Sequence, residues 1–384
     1  MVKAGALAAG TVRKPFACML GGGADTGLEI ARQDMGEFRR KAFRAGVDVL
    51  HLTQLFRLAP LVAKPRGIIF MLHRVRPGPP ADFAPNRHLE VSPEFLDKAL
   101  SFVSGAGFDL VDLDEAARRL GEVDGRRFAC FTLDDGYRDN AVHAAPVFRR
   151  HRCPYTIFVP SDFPDGRGEL WWLVLEQAIA ATDRITATIG GEHFDLACAT
   201  AGEKAEAFQT VYAPLRRVSE AEQRRAIRDM AEVAGIDMAA QCRENMMGWA
   251  ELRELATDPL CTIGAHSIGH YALAKLPPER AFEELDAGAD KLADAFGSRP
   301  QHFAYPYGDP GSAGPRDFAL AREAGFLTAV TTRPGVLYDG HAAHLTALPR
   351  VSLNEAYPVR RYADVFPSGA PFLLYNRGRT LDIA

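Results

Sequence analysis

The sequence lacks three features that would each assign it to a specialised class of protein. Its 384 residues include six Cys but no Cys-x-x-Cys pair, so neither a disulfide framework nor a cysteine zinc clamp is predicted. No run of 18 apolar residues is present, so no transmembrane span is predicted. The formal net charge is only -4, which argues against a general binder of nucleic acid or of anionic membranes. The unpaired Cys and the missing secretory signal favour a cytoplasmic protein.

The N-terminal part of the chain has a different composition from the rest. Residues 1–34 are rich in Ala and Gly, which predicts a disordered tail, and Met35 is an alternative start. A phosphate-binding loop at residues 21–27 is excluded, because Leu28-Glu29 stand where Lys and Ser/Thr are required. Residues 35–65 have the pattern of a basic amphipathic helix. We expect this helix to pack on the domain or, through residues 38–58, to contact a membrane surface peripherally.

From about residue 66 to 355, apolar strand-like runs alternate with amphipathic helical segments. This alternation predicts an α/β fold with a parallel sheet and about seven βα units, enough for an incomplete or distorted barrel. A segment of helices and a hairpin at about 161–258 is interpreted as an insertion, and residues 356–384 as a C-terminal extension. The predicted strands are 67–72, 108–113, 128–133, 154–160, 260–265, 301–305, 326–331 and 345–353.

Two adjacent carboxylates, Asp134 and Asp135, end the predicted strand 128–133 and are followed by Gly136. Neighbouring carboxylates repel each other, and a purely structural turn rarely needs both. A bound cation would explain the pair, with one carboxylate as its ligand and the other free to act as a base. Asp-Gly after a strand is also a standard hairpin turn, so this segment alone leaves both interpretations open.

A pair of imidazoles, His266 and His270, follows the predicted strand 260–265. If the chain coils into a helical turn here, the two side chains project from one face and can bind one ion. Two His and one carboxylate leave room for a water molecule, which is the arrangement of a catalytic rather than a structural zinc site. Because catalytic groups of such barrels lie at the carboxyl ends of strands, the two segments are expected to meet.

A third motif, FAYPYG at 303–308, follows another predicted strand. Together with TLDDG at 132–136 and HSIGH at 266–270, it resembles the polysaccharide deacetylases of carbohydrate esterase family four, which are built on the NodB-homology domain. The similarity covers about residues 66–355. It implies a distorted (β/α)7 barrel and the metal-dependent removal of acyl groups, usually N-acetyl, from amino-sugar polymers.

The resemblance also implies roles for individual residues. Asp135, His266 and His270 would bind a divalent metal, with zinc as the expected ion. Asp134 would be the general base that activates a metal-bound water. The backbone N–H of Tyr307 would stabilise the tetrahedral oxyanion.

Two features depart from the motifs of the family. Ala304 occupies the position where the third motif usually carries an Arg that pairs with the catalytic Asp, and Arg350 or Arg333 is expected to supply that charge instead. The late His that serves as general acid is not evident either. His73, at the end of the first strand, is the candidate for this role.

Several other residues are given structural or substrate-binding interpretations. His341 and His344 lie in a Gly/Ala-rich loop and are expected to be solvated. Trp171, Trp172, Tyr305 and Tyr307 lie near strand ends and could stack on sugar rings, although the two Trp side chains could equally form the core of the insertion.

The sequence therefore predicts a zinc-dependent hydrolase that deacetylates an N-acetylglucosamine-containing oligo- or polysaccharide, such as a chitooligosaccharide. An amine leaving group must be protonated as its bond breaks, whereas an alcohol leaves more easily. The unassigned acid therefore leaves open an O-acetyl esterase or a small-amide hydrolase on the same scaffold. A glycan-binding module that kept the metal but lost the acid is the alternative from a different class. No nucleic-acid partner is expected.

Overall fold

The computed structural model describes residues 41–79, 81–122 and 125–383. The predicted tail at 1–34, the alternative start at Met35 and the first residues of the predicted helix lie outside this part of the chain. Residues 41–46 are helical, and the compact unit that carries the site begins at Val47. No helix in the described part of the chain is both long enough and apolar enough to cross a bilayer.

Seven parallel strands form a closed ring, which confirms the predicted distorted barrel. Each strand pairs with the next one along the chain, and the last pairs with the first. The predicted strand over 108–113 is wrong in extent, because only Asp109–Leu110 pair, and they pair with Phe128 and Ala129 at the start of the strand over 128–133. The barrel strands are β1 (Gly67–Leu72), β2 (Phe128–Leu133), β3 (Tyr155–Val159), β4 (Cys261–Ala265), β5 (His302–Ala304), β6 (Thr328–Pro334) and β7 (Leu348–Ser352).

Helices connect the strands and cover the barrel. The first of them begins as its sequence predicts, since Ser92 Oγ accepts the Phe95 amide and Pro93 occupies the first helical position. The helices that follow β1 outside the β3–β4 connection are Pro93–Gly105, Leu113–Leu120, Asn140–Ala144 continued by Ala145–His151, Pro278–Phe296, Pro315–Glu323, Arg361–Asp364 and Ala370–Tyr375. Single 3-10 turns occur at Arg87–Leu89, Phe163–Asp165, Leu273–Lys275, Asp339–Ala343, Leu345–Ala347 and Phe366–Ser368, and a two-residue strand pair joins Arg74–Val75 to Glu90–Val91.

A long connection between β3 and β4 contains the predicted hairpin, whose strands are Arg184–Ile189 and Glu192–Ala197. Ser219 caps a helix there by accepting the Glu222 amide. The Glu222 carboxylate accepts the Gly190 amide of the hairpin turn at 2.8 Å. The helices of this connection are Trp171–Ala181, Ala201–Arg217, Glu220–Val233, Met238–Asn245 and Trp249–Leu255.

The helix predicted over 35–65 is not continuous. Residues 41–53 are helical, but Gln54 has a left-handed backbone with φ 59° and ends the helix. A 3-10 turn at Leu55–Arg57 and a short helix at Ala59–Ala63 follow. At the other end of the chain, Tyr362 is fully buried and packs its ring 6.2 Å from that of Phe70 in β1.

Candidate active site

The first motif forms a tight turn at the carboxyl end of β2. The Asp134 amide donates to Leu72 O at 2.9 Å, which ties the turn to the end of β1. Asp135 and Gly136 both have positive φ, at 75° and 72°. A left-handed backbone is unfavourable for Asp135, and such strained residues cluster at functional sites. The turn buries both carboxylates, leaving Asp134 and Asp135 each 2% exposed.

The second motif is a compact turn after β4 and not a helical turn, which was the condition under which the sequence would place both imidazoles on one face. Ser267 and His270 adopt left-handed backbone angles, with φ 63° and 60°. Ser267 Oγ accepts the His270 amide at 2.9 Å. The turn therefore directs both imidazoles to one side by a different local geometry, with ring centroids 4.9 Å apart.

Two buried charged residues hold this turn from outside the motif. Glu284, on the helix after the turn, accepts the Ile268 and Gly269 amides at 2.9 and 3.0 Å. Arg224, from the β3–β4 connection, donates to Gly269 O at 2.7 Å. The sequence analysis missed both residues. A usable signal for Glu284 was its place on the buried face of its helix, beside Leu285, where a carboxylate needs partners.

Asp135, His266 and His270 meet at the carboxyl end of the barrel, with one ligand atom from each lying within 4.8 Å of the others. Asp135 Oδ1 is 3.4 Å from His266 Nε2 and 3.3 Å from His270 Nε2. It is buried and accepts no hydrogen bond from the described residues. A buried oxygen without a donor is costly in a folded protein. A cation between the carboxylate and the two imidazoles would satisfy it, so these residues fit a metal ion.

The hydrogen bonding and the burial of the two imidazoles also suit metal binding. His266 Nδ1 lies 2.6 Å from Ala304 O, which orients the ring with Nε2 toward Asp135 Oδ1. Burial lowers the pKa of His270 to about 4, which keeps its ring neutral.

The other carboxylate, Asp134, is paired with an arginine from the far end of the chain. Arg350 Nη1 and Nη2 donate to the two carboxylate oxygens, each at 2.7 Å. Arg350 also donates to Thr331 O at 2.9 Å and is 1% exposed. Burial would raise the pKa of Asp134, but the charge and hydrogen bonds of Arg350 lower it below its ordinary value. Asp134 is therefore held as a carboxylate in a fixed orientation.

Ala304 stands where the family's third motif usually carries an arginine, and Arg350 in β7 supplies that charge instead. Closure of the ring places β7 next to β1, which pairs on its other side with β2, the strand that ends before Asp134. Arg333, the other candidate, donates instead to Ala313 O at 3.0 Å and pairs with Asp382 at 3.2 Å.

Tyr307 lies beside the imidazoles, with its ring centroid 4.7 Å from that of His270. Its backbone is left-handed, with φ 62°, and its N–H donates to no described residue. Trp171 Nε1 donates to the Tyr307 hydroxyl at 2.7 Å, and the Arg216 guanidinium lies 3.7 Å from the ring centroid. The β3–β4 connection thus fixes the ring of Tyr307 against His270, one of the candidate metal ligands.

His73 follows β1 and is half-buried. Its carbonyl accepts a hydrogen bond from Asn140 Nδ2 at 2.8 Å, which fixes the backbone. A positive charge on the His73 ring would lower the pKa of both Asp134 and Asp135. The ring therefore lies within electrostatic range of both carboxylates.

Several aromatic and histidine side chains have structural positions. Trp171 and Trp172 are 1% and 6% exposed, and Tyr305 is fully buried with its hydroxyl donating to Thr346 O. None of the three offers a ring to a sugar, so the core interpretation of the Trp pair is correct. His341 was expected to be solvated but is buried, with Nδ1 accepting the Tyr338 amide at 3.0 Å. His344 is half-exposed.

The strand ends of this parallel barrel combine two imidazoles, a carboxylate oxygen that accepts no hydrogen bond from the described residues, and a second carboxylate held by an arginine. This combination defines a candidate metal-dependent hydrolase. The family model described as polysaccharide deacetylase matches residues 122–327, which is more than half of the chain. The chain belongs to the polysaccharide deacetylase family.

The chain resembles several solved structures, and the similarity to the first of them shows the shared fold. Deacetylase PplD from Streptococcus pyogenes, in complex with acetate, has a TM-score of 0.53 and 15% identity over 78% of this chain and 97% of its own. IcaB from Ammonifex degensii has a TM-score of 0.49 and 19% identity over 78% and 97%. A polysaccharide deacetylase from Bacillus cereus has a TM-score of 0.49 and 15% identity over 78% and 68%. No curated protein matches the sequence.

Proposed function

We propose that the chain is a zinc-dependent hydrolase that removes N-acetyl groups from an N-acetylglucosamine-containing oligo- or polysaccharide. The observation that carries this proposal is the unpartnered Asp135 Oδ1, buried between two imidazoles and next to the Arg350-held Asp134. Family membership supports an acetylated polysaccharide as the substrate class.

Asp135, His266 and His270 would hold the ion. Two imidazoles and one carboxylate form a donor set typical of catalytic zinc, with a coordination position left for water or substrate. When bound there, zinc would supply Lewis acidity, which lowers the pKa of water to about 7 and stabilises negative charge on an acyl oxygen.

The other residues would orient the reacting groups and move protons. Asp134 accepts a proton from the attacking water, and Arg350 keeps its carboxylate directed at the site. The N–H of Tyr307 donates to the oxyanion that develops on the acetyl group, and one such donor is typically worth ~10²–10³ in rate. His73 gives a proton to the leaving amine, a step that an alcohol leaving group needs less.

The direct test is acetate release from N-acetylglucosamine oligomers by the purified full chain, before and after chelator treatment and after zinc is added back. We expect release that chelator abolishes and zinc restores, and no release by the Asp134→Asn variant. Turnover of an acetate ester without turnover of the oligomers would support the O-acetyl esterase. Binding of the oligomers without acetate release in the presence of zinc would exclude the deacetylase function and support the glycan-binding module.

A further inference from the structure

Exposed apolar side chains are concentrated in one short segment before the barrel. Ten large apolar side chains are exposed in the described part of the chain, and four of them lie within residues 49–58, whereas the other six are spread between residues 102 and 375. We call these four the apolar patch. Its members are Val49 (55% exposed), Leu52 (78%), Leu55 (51%) and Leu58 (56%).

The segment that carries the apolar patch is anchored from its other side. Val47 precedes the patch residues and Phe56 lies between Leu55 and Leu58, and their side chains are only 1% and 8% exposed. Asp48 pairs with Arg361 at 3.3 Å, so the C-terminal extension holds the segment in place. The break at Gln54 leaves Leu55 and Leu58 three residues apart on a 3-10 turn, a spacing that places both on one side. The patch is therefore held outward by a fixed backbone.

The charged residues that follow Asp48 in the segment of the apolar patch are basic. The nearby carboxylates of Asp48 and Asp364 lie 3.3 Å from Arg361 and 3.9 Å from His51. The sequence contains no acidic residue from position 49 to position 81, and Arg57 and Lys64 in this stretch are exposed. A local basic and apolar surface is what an anionic bilayer attracts, even on a chain whose net charge is -4. Binding to an apolar protein surface would not require acidic residues to be absent from this stretch.

We propose that the apolar patch docks on an anionic lipid bilayer, with Arg57 and Lys64 directed at the headgroups. The contact is peripheral: the leucines enter the interfacial layer and the chain does not cross it. The segment leads into the amino end of β1, whereas the candidate catalytic residues lie at the carboxyl ends of the strands. Docking and catalysis therefore use separate residues, and the docked enzyme stays free to act on its glycan.

The test is co-sedimentation of the full chain with vesicles of mixed phosphatidylglycerol and phosphatidylcholine, and with vesicles of phosphatidylcholine alone. We expect binding to the mixed vesicles that weakens as salt is raised. The triple variant Leu52→Glu, Leu55→Glu, Leu58→Glu should bind them at least about tenfold more weakly. Because the replaced side chains are exposed, this variant should fold and keep the melting temperature of the parent chain.

The matched control is Val233→Glu, which places one acidic residue at an equally apolar position that is 80% exposed and lies outside the patch. It should bind vesicles as the parent chain does. Equal binding of the triple variant and the parent, or equal binding to neutral and anionic vesicles, would overturn the proposal. A third outcome would also overturn the proposal: the parent chain is dimeric in solution, the triple variant is monomeric, and neither binds vesicles. The patch would then be a contact with a second copy of the chain.

Discussion

The Asp134–Arg350 pair is the residue-scale feature on which both stability and reactivity depend. Removing one partner of a buried ion pair leaves the other charge unpaired, which typically costs about 3–5 kcal/mol. We therefore expect Arg350→Ala to lower the free energy of unfolding by about this amount in a denaturant titration. The double variant Asp134→Leu, Arg350→Met removes both charges and should recover most of the stability while remaining inactive. A stable, fully active Arg350→Ala variant would contradict the assigned role.

His73 is expected to distinguish amide from ester substrates. General acid catalysis typically contributes ~10²–10⁴-fold, and an amine leaving group depends on it more than an alcohol does. His73→Ala should therefore lower kcat on an N-acetylated oligosaccharide far more than on an acetate ester. Steady-state kinetics on both substrates provide the measurement, and equal losses would exclude His73 as the acid.

His341 should make stability depend on pH. Burial lowers its pKa from 6.5 to about 4, so between these values the unfolded chain binds a proton that the folded chain does not. Stability from this residue is complete above about pH 6.5 and is lost as the pH falls toward 4. At about 1.4 kcal/mol per pKa unit, the loss is roughly 3 kcal/mol.

Urea unfolding of His341→Gln between pH 4 and 7 checks this expectation. The variant should show a flatter dependence of unfolding free energy on pH than the parent chain. His344→Gln is the matched control, because His344 lies in the same loop and is half-exposed. The same slope in the parent and in His341→Gln would disprove the contribution.

At the scale of elements, the His266–His270 turn is positioned by residues outside its own motif. Arg224 donates to Gly269 O and pairs with Glu169 at 2.9 Å. Residues that orient metal ligands typically change metal affinity 10–100-fold when lost, so Arg224→Met should weaken zinc binding by about this factor in a calorimetric titration. Arg228→Met is the control, since Arg228 also pairs with Glu169 but its side chain is 59% exposed. Equal zinc affinity of the parent chain, Arg224→Met and Arg228→Met would show that the turn keeps its geometry without Arg224.

The same elements show what a sequence can predict. Strands such as β1 and β2 could be predicted because burial on both faces gives them near-continuous runs of apolar residues. The end of the N-terminal helix at Gln54 and the short extent of the strand Asp109–Leu110 were not predicted, because neither has a local signal in the sequence. The left-handed residues of the His266–His270 turn were missed for a similar reason: the turn depends on Glu284 and Arg224, which reach it only in the folded chain.

For the whole molecule, ring closure is what turns separate motifs into a site. The three candidate metal ligands come from the ends of β2 and β4, and Arg350 comes from β7, 216 residues after Asp134. The ligands could be predicted because motifs at strand ends share one edge of a parallel barrel. The arginine could only be narrowed to Arg350 or Arg333, because the choice depends on which side chain the closed ring points inward.

The most direct test of the account is an anomalous scattering measurement at the zinc edge on crystals of the full chain grown with zinc. We predict one strong peak within bonding distance of Asp135 Oδ1, His266 Nε2 and His270 Nε2, and its loss in the Asp135→Ala variant. A map with no peak among these three atoms, from crystals that bind zinc elsewhere, would contradict the metal centre and with it the proposed hydrolase.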